Sequence, residues 1–88
     1  MRSEEALKII IRPYVTEKTF DLIEEENKLV FIVDGKAGKG AIKEAVQMLY
    51  DVKVDSVNTV HTISGKKAYV RLSEESSAAD LASKLGLV

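Results

Sequence analysis

"VKVDSVNTVHTISGKKAYVRL", Val52 to Leu72, holds two strand-like runs separated by Ser64-Gly65, a dipeptide with the chemistry of a tight hairpin turn. Strands joined this closely run antiparallel. In the second run Ala68, Val70 and Leu72 alternate with Lys67, Tyr69 and Arg71, so one face is apolar and the other is cation, aromatic, cation. In the first run the apolar parity slips between Val54 and Val57, which predicts a bulge or a register change.

Working outward from the hairpin, "KLVFIVD" (28–34) is apolar at both alternating parities, Leu29/Phe31/Val33 and Val30/Ile32, and predicts a mid-sheet strand covered on both sides. "LKIII" (7–11), stopped by Arg12-Pro13, predicts a first strand. "VTEKTFDLIEEEN" (15–27) predicts a helix capped by Thr16, stapled by Val15 and Phe20 and terminated at Asn27. From Gly40 to Tyr50, Ile42, Ala45, Val46, Leu49 and Tyr50 recur at helical spacing and leave Lys39, Lys43, Glu44 and Gln47 towards solvent. "SSAADLASKLG" (76–86) predicts a last helix capped by Ser76 or Ser77, burying Leu81 and Leu85 and ending at Gly86. The order is strand, helix, strand, helix, strand, strand, helix. With an antiparallel hairpin in it, that order predicts an α+β fold with a four-stranded sheet and flanking helices, not a doubly wound one.

Eighty-eight residues predict a single domain, residues 1–88, which buries only about 60 to 65% of its unfolded surface and leaves little room for a deep catalytic pocket. The absence of cysteine excludes thiolate zinc sites and thiol catalysis. No apolar stretch approaches the roughly 18 residues of a membrane span, and Glu4 and Glu5 do not suit a signal peptide, so the expected location is the cytoplasm. The net charge of −1 conceals an uneven distribution. Residues 28–71 carry eight Lys or Arg against four Asp or Glu, whereas residues 1–27 carry four against seven and residues 72–88 one against three. A basic middle between acidic ends is the kind of asymmetry that can hide the electrostatic footprint of a polyanion-binding protein behind a near-neutral total, the alternative being a local fluctuation of charge on solvated faces.

"DGKAGKG" (34–40) invites comparison with phosphate-binding loops and fails both. A nucleotide P-loop needs Lys and Ser or Thr after the last glycine, where this chain has Ala41 and Ile42; the dinucleotide pattern begun at Gly38 and Gly40 meets Lys43 in place of its third glycine. Lys36, Lys39 and Lys43 nevertheless gather where free helix amides favour an anion. His61 is the only histidine and has no partner at a spacing suited to catalysis. Consecutive Glu24, Glu25 and Glu26 point about 100° apart on a helix and do not converge. The row Lys67, Tyr69, Arg71, which Lys66 would extend, suits RNA instead: cations meet phosphates and the ring can stack on an unstacked base. Its structural alternative is a Tyr69 packed under a helix with solubilising cations around it.

"RPYVTEKT", "KLVFIVDGKAGKGAIKEAVQMLYDVKVDSVNTV" and "GKKAYVRL", in this order, closely resemble the ribosomal large-subunit protein L23 family, and the short chain ending in "AADLASKLGLV" resembles its archaeal type. The resemblance implies a non-enzymatic constituent of the large ribosomal subunit, without cofactor, metal or small-molecule substrate. It further implies binding to large-subunit ribosomal RNA beside the polypeptide exit tunnel, ribosomal protein L29 as a neighbour, and a docking place for nascent-chain factors such as the signal recognition particle. Carried over by position, Arg12, Thr16, Lys18, Lys36, Lys39, Lys43 and Asn58 are expected near RNA, and Lys66, Lys67, Tyr69 and Arg71 match the hairpin phrase. Glu17 takes the position of the family's factor-docking patch, and Asp21, one turn later, shares its face. The rival reading is a protein-interaction module of the same fold using the acidic helix 16–26. Two features depart from the family: the long basic loop of bacterial members is cut here to "TISGKK", and glycine stands at both 38 and 40.

Overall fold

The computed structural model describes residues 1–87; the expected domain runs on to Val88, which lies outside them. Its elements are α1 (Ser3–Ile9), β1 (Ile10–Pro13), α2 (Glu17–Glu26), β2 (Lys28–Val33), α3 (Lys39–Tyr50), β3 (Val54–Thr62), β4 (Gly65–Leu72) and α4 (Ala78–Lys84). The strands form one antiparallel sheet in the order β1-β2-β4-β3, the expected α+β architecture. The strand expected at Leu7–Ile11 begins later, because residues 3–9 form a helix with Glu4 and Glu5 in its first turn and Lys8 in its last. Seven residues without a side-chain cap do not hold a helix alone, so α1 owes its order to packing against α3 through the fully buried Ala6.

Among the described residues, all four helices pack against one face of the sheet. Ala6, Ile23, Ile42, Ala45, Val46, Ala78, Leu81 and Ala82 from the helices share a single cluster with Leu29, Phe31 and Val33 of β2, Val54 and Val57 of β3, and Ala68, Val70 and Leu72 of β4. The Phe31 and Tyr50 rings stack within it, 5.7 Å between centroids, and burial pushes the Tyr50 phenol above its ordinary value. β2 lies mid-sheet as expected, and Val30 and Ile32 are buried too, yet they stand outside this cluster. Their cross-strand partners are Tyr69 and Lys67, so the second face of β2 is shielded by long side chains of the sheet itself and not by a second helical layer.

Both edge strands are bulged, and the bulges decide which residues the helix-free face displays. In β3 the register shifts between Val54 and Ser56, where the apolar parity slips, so Val54 and Val57 both reach the core while Ser56, Asn58 and Val60 turn outward beside Arg71, Tyr69 and Lys67. In β1 the shift lies between Ile10 and Arg12. Ile10 pairs with Val33 in the core, and the extra residue rotates Arg12 onto the opposite face, opposite Ile32. The hairpin turn sits one residue earlier than Ser64-Gly65. Thr62 pairs with Gly65, leaving Ile63-Ser64 as the loop, and Gly65 takes the positive φ of 119° that neither loop residue adopts.

Candidate nucleic-acid interface

The helix-free face is centred on β4. Lys67, Tyr69 and Arg71 lie on it in a row, flanked on β2 by Ile32, Val30 and Lys28 and on β3 by Val60, Asn58 and Ser56. Tyr69 is not covered by the helical layer over the core; it stands half-buried between Val30 and Asn58 and shares a groove with the first turn of α2. Arg12 joins the same face from β1, and Tyr14 continues it, its amide bonded to the Val30 carbonyl. The Lys67 ammonium rests 3.9 Å from the centroid of the Tyr14 ring, a cation–π contact that ties the first sequence motif to the last.

α2 starts beside this row. Thr16 caps it: the Thr19 amide donates to Thr16 Oγ1 at 3.2 Å and the Thr16 amide to Thr19 Oγ1 at 2.7 Å, a reciprocal box with threonine where Glu or Gln is usual. The cap brings Thr16 and Lys18 to the wall of an open groove completed by Tyr14, Lys67 and Tyr69. Glu17 lines this same groove, and Asp21 follows it one turn along α2; both are exposed. The carboxylate expected to serve factor docking thus borders the residues expected to meet RNA.

The remaining candidates lie at the Val33 end of the sheet. Lys36, Lys39 and Lys43 are all exposed, on the loop before α3 and on its first turns. Gly38 is the N-cap of α3 with no side-chain cap bond, and Gly40 is the second helical residue. Lys66 does not extend the row on β4. Its parity is that of Ala68, and its ammonium donates to the Ala37 carbonyl, bracing the loop that carries the other lysines. At the opposite end, Arg71 meets the acidic end of α2 across a groove lined by Glu24, Glu25, Glu26, Asp55 and Glu74. The described face thus grades from cationic near Lys67 to acidic beyond Arg71.

Sequence reasoning missed Tyr14 as a site residue. Its distance of 53 positions from Lys67 concealed the contact, although the edge-strand position beside Pro13 was a usable signal.

A family described as Ribosomal protein L23 matches residues 8–71, which span every candidate named above. The chain is also similar to the large ribosomal subunit protein uL23 of Methanococcus aeolicus and to that of Methanococcus vannielii, each 49% identical over 84 residues, 94% of this chain and 98% of the relative. The chain belongs to the ribosomal protein L23 family. Membership makes it a structural, non-enzymatic protein, and both relatives are archaeal, in line with the archaeal type the chain resembles. For an L23 protein, no reaction is to be assigned to the row on β4 or to the grooves beside it.

Proposed function

We propose that this L23-family chain, a structural constituent of the large ribosomal subunit and so a cytoplasmic protein, binds large-subunit ribosomal RNA through the helix-free face of its sheet. The observation that carries the reading is the row Lys67, Tyr69, Arg71 on that face, joined by Arg12 and Asn58 through the two edge-strand bulges. Arginine and lysine there meet phosphates, the register of the sheet spaces them, and shape sets which RNA surface fits. Lys36, Lys39 and Lys43 supply a second group of phosphate contacts, with Lys66 holding their loop in place. Thr16 and Lys18 extend the first group along the groove beside α2.

The finer placement follows the family. We place the chain beside the exit tunnel, next to ribosomal protein L29, with Glu17 and Asp21 contributing to a docking patch for nascent-chain factors, the signal recognition particle among them. A two-residue turn at Ile63-Ser64 gives the hairpin little reach of its own into a tunnel. The test is co-sedimentation of the tagged chain with large ribosomal subunits. Lys67→Glu with Arg71→Glu should deplete the chain from the subunit fraction while leaving its thermal unfolding within a few degrees of the parent. Undiminished incorporation would favour a protein-interaction module using helix 16–26, whose Glu24, Glu25 and Glu26 remain exposed.

A further inference from the structure

Phosphate contact leaves part of the groove beside α2 unexplained. Its volume, about 460 Å³, falls in the range of roughly 300 to 1,000 Å³ typical of small-ligand clefts. Tyr14 and Tyr69 both line it, together with Lys18 and Lys67. Tyr14 already carries the Lys67 ammonium on its ring, which fixes the position of that charge. Tyr69, by contrast, has neither a ring nor a cation stacked on it among the described residues, although its strand neighbours Val30 and Asn58 hold it in place. Neither Lys18 nor Lys67 is in an ion pair among the described residues. The hydroxyls of Thr16 and Thr19 are occupied by each other's amides.

An unstacked aromatic beside two cations that have no carboxylate partner among the described residues matches a base attached to its phosphate. A paired duplex keeps its bases stacked inside and would offer this groove backbone and base edges but no free base face to stack on. We infer that the groove is a subsite for one unpaired nucleotide extruded from the bound RNA: its base stacks on Tyr69, its phosphate lies between Lys18 and Lys67, and Tyr14 positions Lys67. Glu17, on the same wall, repels a phosphate from its own side and directs it to the lysines. The inference rests on the RNA-binding reading above and adds a ligand class that charge alone does not specify.

Isotope-labelled protein titrated with adenosine 5′-monophosphate, and separately with ribose 5-phosphate, tests the subsite by NMR. The Tyr69 ring signals and the Lys18 and Lys67 amides should move together with the nucleotide. Removing the base should weaken binding at least about fivefold, the low end of base–aromatic stacking. Tyr69→Leu, which keeps an apolar residue in the strand, should lose the same factor, whereas Tyr69→Phe should retain affinity. Equal affinity for the two probes, absence of shifts at millimolar nucleotide, or shifts confined to other residues would each overturn the subsite. An RNA hairpin with one bulged nucleotide, compared with its fully paired counterpart, separates this inference from the broader one. Equal binding of both removes the subsite and leaves RNA binding standing; binding of neither removes both.

Discussion

Among the described residues, Asn27 occupies one of two non-glycine positions with positive φ, at 56°, and closes α2 as its C-cap. Its side chain does far more than end a helix. Nδ2 donates to the carbonyls of Leu72, Ser73 and Ser76 at 3.0 to 3.2 Å, and Oδ1 accepts from the Ala78 amide at 2.7 Å. One residue thereby fastens the end of β4, the following turn and the start of α4. Asn27→Ala removes those bonds and puts a residue less tolerant of the left-handed conformation there, an expected loss of about 2 to 4 kcal/mol in denaturant unfolding. Asn27→Gly loses the same bonds without the backbone strain and should be the milder of the two by about 1 kcal/mol. A glycine variant as damaging as the alanine variant would mean that strain contributes nothing here. Asparagine as a helix stop is legible in the chain; its hold on α4 is not, because its partners lie 45 to 51 residues downstream.

Among the elements, α2 and α3 begin in contrasting ways. α2 has a threonine on each side of its box, and Thr16→Ala should cost about 1 kcal/mol of stability, read from the urea midpoint at unchanged slope. α3 starts on Gly38 without a side-chain cap and carries Gly40 inside its first turn, where the backbone is helical and a Cβ would meet open space. Gly40→Ala should therefore stabilise the protein by about 0.5 to 1 kcal/mol; a neutral or destabilising result would show that the first turn of α3 is not formed in solution. Periodicity made α3, α4 and both hairpin strands legible. α1 was hidden because its last residues run into Ile9-Ile10-Ile11, a β-branched string that reads as strand until the packing partner α3 is known. The turn fell one residue early for a related reason: cross-strand register fixed Ile63-Ser64 as the loop, and propensity alone would not put isoleucine there.

For the whole molecule, the basic middle of the chain folds into two cationic regions, one on the helix-free face and one at the start of α3, while much of the acid collects at the far end of α2. The sequence revealed the charge asymmetry and the row on β4, because alternation in a strand is a local property. It did not reveal that Arg12 and Tyr14 share that face, since this depends on one bulge at Ile11, nor that Lys66 leaves the row for Ala37. Recognition of RNA by this face requires that these cations meet phosphate. The most direct measurement is the affinity of the intact chain for its isolated ribosomal RNA domain across a series of salt concentrations. The logarithm of the binding constant should fall linearly with the logarithm of salt, by roughly 0.7 to 0.9 per phosphate neutralised, and Lys67→Glu with Arg71→Glu should reduce that slope by about 1 to 2. A flat response, or a slope the double variant leaves unchanged, would contradict the assignment of the helix-free face to RNA.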